Sequence, residues 1–120
     1  MLVNVPVFAM IPVVDLERAK GFYEGTLGLG PARSYGSDTV AYECGEGTRL
    51  GLYQRGPTKA DHTVACFAVS NIEETMKELQ AKGVRFEEYD FPGLKTVNGI
   101  ATRDGEKAAW FKDTEETSLV

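Results

Sequence analysis

Val13-Val14-Asp15-Leu16-Glu17 is matched later in the chain by Val69-Ser70-Asn71-Ile72-Glu73. An apolar run precedes each pentapeptide, at 3–14 and at 63–69, and a helix-like pattern follows it. Internal similarity at a period of about 50 residues indicates a duplicated supersecondary unit. Two copies are too few for a solenoid, which needs roughly three repeats. The repeat therefore predicts two half-sheets that bury one another's faces.

Each pentapeptide supplies the start of a predicted helix. Asp15 and Asn71 are of the residue types that cap helix N-termini, and Glu74 stands at the capping-box position of the second helix. Apolar side chains recur at helical spacing after both caps, and Gly28 and Gly83 are natural helix ends. The apolar stripes consist of Leu16, Ala19, Tyr23 and Leu27 in the first helix and of Ile72, Met76 and Leu79 in the second.

Strand-like runs occupy most of the remaining chain. Besides the buried first strand expected within 3–14, they lie at about 31–36, 39–44, 48–54, 84–91 and 106–112. Gly45-Glu46-Gly47 and Asp104-Gly105 are typical of hairpin turns. A linker at 56–60 separates modules 1–55 and 61–120. We expect each module to follow a β-α-β-β-β order, with both modules in one α+β domain spanning 1–120.

The bulk composition limits the possible functions. The 120 residues suffice for one domain with a core, and 42% hydrophobic and 26% charged residues are ordinary for a globular protein. A net charge of -5 argues against nonspecific nucleic-acid binding, which requires clustered cations. The apolar N-terminal run lacks the basic start of a signal peptide and is too short to span a bilayer. Cys44 and Cys66 form no CxxC motif and suggest no disulfide framework, so we expect a cytoplasmic protein. From the charge and the N-terminal run, we expect no nucleic-acid partner and no membrane partner.

At this point the residues resemble a known superfamily along essentially the whole chain. The resemblance lies in residues 13–23, in Leu27-Gly28-Leu29, in residues 78–84 and in Ala109-Trp110-Phe111-Lys112-Asp113. These stretches are similar to the vicinal oxygen chelate superfamily of glyoxalases, bleomycin-resistance proteins and extradiol dioxygenases. The resemblance implies two βαβββ modules that form a curled, cleft-enclosing mixed sheet, and it implies a homodimer. It leaves the chemistry open, because the superfamily includes lyases, isomerases, dioxygenases, thiol transferases and drug-binding proteins.

The resemblance also locates the positions where metal-dependent members carry their ligands, usually His, Gln or Glu. The first-strand positions, counted back from Asp15 and Asn71, are Phe8 and Val64. The last-strand positions fall at Gly51 or Leu52 and near Val120. None of these side chains has a lone pair for a metal ion, so we predict no metal and no cofactor.

Other side chains are candidates for binding or catalysis. Phe8 and Trp110 belong either to an apolar cleft or to the plain core, and Tyr89–Thr96 is predicted to be an irregular lid. His62, the only histidine, and Tyr42 are the candidates for acid–base catalysis, together with Asp61. The predicted ligand-binding set is Phe8, Met10, Tyr53, Val64, Phe91, Leu94, Lys95 and Trp110.

Three functions are compatible with these residues. The first is binding of a small, partly apolar organic molecule in a cleft that lacks the usual metal ligands. The second is a metal-dependent lyase or dioxygenase of glyoxalase type with shifted ligands, such as His62 with Glu43. The third is metal-free acid–base catalysis. We favour the first, because the expected ligand positions are apolar.

Overall fold

The computed structural model describes residues 1–57, 63–114 and 118–119, and for the last two only the backbone. The chain forms two compact units, Met1–Lys59 and Ala60–Val120, which are called unit 1 and unit 2. Both contain helices and strands, which confirms the predicted α+β class.

Unit 1 has one helical region and one mixed four-stranded sheet. The sheet order is β1-β4-β3-β2, in which β1 and β4 are parallel and the other neighbours are antiparallel. A short 3-10 turn at Gly45–Gly47 joins β3 to β4, where a hairpin turn was predicted. The elements are β1 (Ala9–Val13), α1 (Leu16–Lys20), a π-helical segment (Gly21–Thr26), β2 (Ala32–Tyr35), β3 (Thr39–Glu43) and β4 (Arg49–Gln54).

The first helix begins where the sequence predicts, but its winding changes. The Asp15 side chain accepts a hydrogen bond from the Arg18 backbone N–H at 3.1 Å, which confirms the cap. After Lys20 the winding widens, and the Leu27 N–H donates to the Phe22 carbonyl at 3.0 Å. Gly21 and Gly25 lie within this wider segment, and their low helix propensity accords with the departure from regular α-helix.

One face of the unit 1 sheet forms the core. Alternate residues of a strand point to opposite faces, and the buried residues of β1, β3 and β4 lie on the face that carries Tyr42. The helical region packs on this side, since Leu16 N–H donates to the Gln54 side chain at 2.9 Å. The core consists of Ile11, Val13, Leu16, Ala19, Tyr23, Val40, Tyr42, Leu50 and Leu52.

Unit 2 combines one helix with two small sheets. The first sheet has the order β10-β11-β5 and the second the order β6-β7-β8-β9. The Asn71 side chain caps the helix by accepting from the Glu74 N–H at 3.1 Å, as predicted. The elements are β5 (Thr63–Ala65), α2 (Ile72–Ala81), β6 (Asp90–Phe91), β7 (Leu94–Val97), β8 (Ile100–Arg103), β9 (Glu106–Ala108), β10 (Phe111–Lys112) and β11 (Ser118–Leu119).

Several predicted strand boundaries are wrong. The first strand is Ala9–Val13 rather than most of 3–14, and the side chains of residues 1–8 are exposed. The predicted strand 84–91 keeps only a bridge from Phe86 to Phe111 and the short β6. The predicted strand 63–69 shortens to β5, and 106–112 divides into β9 and β10. Apolar character alone marked these runs, and it does not show where partner strands begin.

The irregular conformation predicted for Tyr89–Thr96 is also wrong, whereas its role as a lid stays a prediction. Its residues form a hairpin of β6 and β7, with Phe91 paired to Leu94 and Asp90 paired to Lys95. A second hairpin joins β7 to β8 through Asn98-Gly99, where both residues have positive φ. Such a turn is typical of two-residue hairpins, so Asn98-Gly99 was an available signal for β8. The predicted Asp104-Gly105 turn between β8 and β9 is confirmed.

No helix in the described part of the chain is long and apolar enough to cross a membrane.

Candidate functional site

The unit 1 sheet has a second face, opposite the core, which we call the outer face. The strand register places two rows of residues across all four strands of this face, and the pair of Glu43 and Arg49 lies beside them. In one row, Arg33 and Met10 flank two small residues. In the other, two tyrosines flank a threonine, and a proline ends the row. The rows are Arg33, Ala41, Gly51 and Met10, and Tyr35, Thr39, Tyr53 and Pro12. The predicted binding residues Met10 and Tyr53 therefore share one face.

Met10 lies directly across the backbone of Gly51. A Cβ atom at Gly51 would clash with the Met10 Sδ atom and would lie 2.9 Å from its Cε atom. Met10 is nevertheless 44% exposed. A glycine in mid-strand often marks close approach by another group. Here the approaching group is the Met10 thioether, which forms a soft apolar surface beside Ala41.

Arg33 and Tyr35 form a pair at the other side of the outer face. The guanidinium carbon of Arg33 lies 5.6 Å from the centre of the Tyr35 ring, within the range of a cation–π interaction. Both side chains are exposed. This pair was not among the predicted site residues, although residues two apart on a strand share a face.

Unit 2 contains an aromatic cluster of Tyr89, Phe91 and Trp110. The Tyr89 and Phe91 rings stack with centres 5.7 Å apart, and the Trp110 ring meets Tyr89 edge-on at 5.6 Å. Phe91 is 58% exposed, whereas Tyr89 and Trp110 are half-buried. Two of these residues were predicted to bind ligand, and Tyr89 was predicted only as part of the lid.

The backbone around the aromatic cluster is held by hydrogen bonds. The Glu87 N–H donates to the Trp110 carbonyl at 2.8 Å. The Tyr89 N–H donates to the buried Thr96 hydroxyl at 2.8 Å, and that hydroxyl donates to the Glu88 carboxylate at 2.5 Å. Tyr89 is thus fixed from the strand that follows it.

The face that carries the aromatic cluster is distinct from the unit 2 core. Phe86 and Phe111 pack edge-on at 5.7 Å, and Phe111 is buried. Trp110 precedes Phe111 and so points to the opposite side of the chain. Lys112 lies on the Trp110 side, where its Nζ atom is 3.9 Å from the Glu87 carboxylate.

The remaining predicted ligand-binding residues have varied positions. Leu94 is half-buried and Lys95 is exposed, both on β7 next to the aromatic cluster's Phe91. Val64 is half-buried on β5. Phe8 lies before β1 and is 48% exposed, so it does not behave as plain core of unit 1.

Tyr42 lies in the core rather than on the outer face. Its hydroxyl donates to the Glu24 carboxylate at 2.9 Å, and the residue is fully buried. Burial raises the pKa of this phenol, and the hydrogen bond to Glu24 and the nearby negative charge raise the pKa further. A neutral, enclosed phenol is poorly suited to accept a substrate proton. The other candidates, His62 and Asp61, lie outside the described residues.

The metal positions implied by the resemblance do not fit a metal ion. Phe8, Val64 and Gly51 have no donor atom in their side chains, and Leu52 is buried on the core face. Val120 lies outside the described residues. Glu43, one of the shifted candidates, lies 3.9 Å from Arg49. Within 1–57 and 63–114, no three His, Cys, Asp or Glu side chains converge on a common point.

Comparison with known proteins identifies the family. Residues 6–114 match the model of the Glyoxalase/Bleomycin resistance protein/Dioxygenase superfamily, and the chain belongs to that superfamily. A comparison with curated proteins finds no match.

Solved structures share the fold at low sequence identity. A glyoxalase / bleomycin resistance protein from Catenulispora Acidiphila DSM 44928 is 20% identical, with 97% of this chain and 95% of that chain covered and a TM-score of 0.66. A superfamily member from Sphaerobacter thermophilus DSM 20745 is 22% identical, with 99% and 96% covered and a TM-score of 0.66. Oxidase ChaP-H2 is 20% identical, with 99% and 91% covered and a TM-score of 0.70.

Proposed function

We propose that this protein binds a small, partly apolar organic molecule without a metal ion. The observation that carries the proposal is the aromatic cluster of Tyr89, Phe91 and Trp110, whose outermost ring is 58% exposed. Binding sites are mostly apolar, with a few polar groups that orient the ligand. The Glu87–Lys112 pair, at 3.9 Å, supplies charged groups on the same side of the chain.

The physical gain from such binding comes from the exposed ring. Phe91 stacks on Tyr89 through one side only, so an apolar or aromatic ligand can remove water from much of the remaining ring surface. The Tyr89 backbone is held by Thr96, and its ring contacts both Phe91 and Trp110, so the cluster is assembled before a ligand binds. The outer face of unit 1, with Met10 and Tyr53, offers a second apolar surface of similar character.

The experiment is a ligand screen followed by one substitution. Ligands are found by their effect on thermal stability in a panel of metabolites and antibiotics, because binding to the native state raises stability. Emission of Trp110, the only tryptophan, then gives the affinity. We expect Phe91→Ala to weaken binding by roughly 1–3 kcal/mol with little loss of stability, since the ring is largely exposed.

Val97→Ala is the matched control for Phe91→Ala. Val97 is 65% exposed and ends the strand that pairs with β6, so its truncation also removes apolar surface from the same hairpin. The control should leave the affinity unchanged. Equal affinity of the Phe91→Ala variant and the parent protein would reject the aromatic cluster as the site.

The metal-dependent alternative makes the opposite prediction about metal content. We expect the purified protein to carry no stoichiometric Zn, Ni, Fe or Mn, because the positions of the family's ligands lack donor atoms. Elemental analysis of the protein as purified tests this. One metal ion per chain that disappears in a His62→Ala variant would establish shifted ligands instead.

We also propose a cytoplasmic location. Cys44 and Cys66 are both free thiols, and Cys66 is exposed. Exposed free thiols accord with a reducing compartment.

A further inference from the structure

The outer face of unit 1 has one feature that the proposed function does not use, which is the position of the Arg33 guanidinium. It lies 5.6 Å from the centre of the Tyr35 ring on an exposed sheet surface. A cation–π contact does not require the guanidinium to donate its N–H groups to an acceptor, so those groups stay available. Those groups match a carboxylate, which accepts two parallel hydrogen bonds from them.

The neighbouring acidic groups do not neutralise Arg33. Glu43 is on the same face, diagonal to Arg33 in the β2–β3 register, but its carboxylate lies 3.9 Å from Arg49. The Asp38 carboxylate accepts from the Thr39 hydroxyl at 3.1 Å. In the described part of the chain, no carboxylate lies within ion-pair distance of Arg33. Its partner within the protein is the Tyr35 ring.

Apolar surface adjoins this cation at a suitable distance. Ala41 is next to Arg33 in its row, and Met10 covers Gly51 beyond it. Neighbouring strands are roughly 4.8 Å apart, so Gly51 lies about 10 Å from Arg33 across the sheet. This distance accommodates one or two fused rings above Ala41. Tyr35 and Tyr53 lie in the second row of the same face, beside Ala41 and Gly51.

We propose that the outer face of unit 1 binds an aromatic carboxylate, with Arg33 holding the anionic group and Met10 and Ala41 contacting the rings. This inference rests on the proposed function and deepens it, because it names the chemical class of the ligand. The net charge of -5 repels an anionic ligand only weakly at this site. At physiological salt, charges further than about 8 Å away are largely screened, so the local cation determines the preference.

The test compares three probes of the same shape and different charge. The probes are 1-naphthoate, the neutral 1-naphthalenemethanol and the cationic 1-naphthalenemethylamine, each titrated calorimetrically into the full chain. We expect 1-naphthoate to bind about tenfold more tightly than the alcohol, since hydrogen bonds to charged groups are the stronger ones. The amine should bind most weakly.

Two substitutions of Arg33 and one control locate the effect. Arg33→Gln should remove the advantage of 1-naphthoate over the alcohol, because the affinity for the anion falls more than the affinity for the alcohol. Arg33→Lys should retain part of that advantage, because a lysine keeps the charge but lacks the planar fork. Arg103→Gln removes an equal charge from the exposed part of β8 in unit 2, and the preference should persist in that variant.

The outcomes separate this inference from the proposed function. Equal binding of 1-naphthoate and the alcohol, no binding of 1-naphthoate, or a preference that survives Arg33→Gln would overturn the assignment of Arg33. Alcohol binding that is weakened by Phe91→Ala would still support the aromatic cluster. Conversely, Arg33-dependent binding of 1-naphthoate that is unaffected by Phe91→Ala supports the outer face as a site separate from the aromatic cluster.

Discussion

At the scale of single residues, the Tyr42 hydroxyl and the Glu24 carboxylate connect the sheet of unit 1 to its π-helical segment at 2.9 Å. The Tyr42 ring, whose hydroxyl donates the hydrogen bond, is fully buried, whereas the accepting residue Glu24 is exposed. This geometry explains why burial raises the pKa of the phenol above its ordinary value. It also makes Tyr42 a structural residue with a measurable contribution to stability.

Replacement of Tyr42 by phenylalanine should therefore have two effects. At neutral pH the loss of the hydrogen bond should lower the free energy of unfolding by about 1 kcal/mol. The ordinary phenol pKa is about 10, and the folded-state pKa of Tyr42 is raised. The tyrosine's contribution to stability is thus complete below about pH 10 and is lost as the pH rises through the folded-state pKa. Tyr42→Phe should remove this part of the decrease in the free energy of unfolding at alkaline pH.

Denaturant unfolding between neutral and alkaline pH measures both effects. Tyr53→Phe is the control, because it removes a phenol from the outer face of the same sheet. If the stability curves of the Tyr42→Phe variant and the parent protein run parallel at all pH values, the buried phenol does not contribute as described.

The sequence contained a signal for the position of Tyr42 that was not used. Val40 and Tyr42 are the large apolar residues of β3, and they alternate with Thr39, Ala41 and Glu43. The alternation assigns Tyr42 to the covered face. The Tyr42 hydroxyl suggests catalysis, whereas the position of Tyr42 on the covered face predicts burial. Arg33 and Tyr35 were missed for the opposite reason, because exposed polar residues carry no burial signal.

At the scale of elements, the predictions succeeded where a local residue determines the backbone. Asp15 and Asn71 cap their helices through side-chain oxygens, and Asp104-Gly105 turns the chain with positive φ at both residues. The predicted strand ends were wrong, because the extent of a strand depends on a partner strand that the local sequence does not contain. The run from 84 to 89 contains Val84, Phe86 and Tyr89, which favour a strand, yet the only β-bridge that it forms is that of Phe86 with Phe111.

The two Asx-Gly hairpins of unit 2 provide a matched pair for a stability test. Gly99 and Gly105 both have φ near +80, so alanine is strained at either position. A Cβ atom at Gly105 has open space around it, whereas one at Gly99 would lie 3.1 Å from Met76 Cε and 3.2 Å from Phe86 Cβ. Gly105→Ala should cost roughly 1–2 kcal/mol, and Gly99→Ala should cost about 1–3 kcal/mol more.

Thermal or denaturant unfolding of both variants gives the difference directly. Since the backbone strain is the same, the excess at Gly99 measures how closely the β7–β8 turn packs on α2 and on Phe86. Equal losses in the two variants would show that this turn has room that the structure does not indicate.

At the scale of the whole molecule, the exposed N-terminal segment provides apolar surface for assembly. Leu2, Val3 and Val7 are 75%, 87% and 81% exposed, and they precede the edge strand β1 of the unit 1 sheet. Exposed apolar patches of this kind are typical of interaction surfaces. Two-fold dimers are the commonest oligomers, and we predict a homodimer that uses this segment.

Light scattering at micromolar concentration should give twice the mass of one chain. Val3→Asp together with Val7→Asp should shift the protein to the monomer, because a buried unpaired carboxylate is costly. Val97→Asp is the control, since Val97 is similarly exposed in unit 2. A monomer in the unsubstituted protein would contradict the prediction.

The contact of Met10 with Gly51 has a chemical consequence of its own. A thioether that is 44% exposed is accessible to peroxide, and oxidation would convert it to a polar sulfoxide directly above a strand backbone. The outer face would then lose its most polarizable apolar side chain. Preparations that have been exposed to air should therefore lose affinity for a ligand on this face before they unfold. The same reactivity makes the oxidation rate of Met10 a built-in measure of whether this face is covered. Any molecule that covers this face slows the oxidation of Met10, whatever the identity of that molecule.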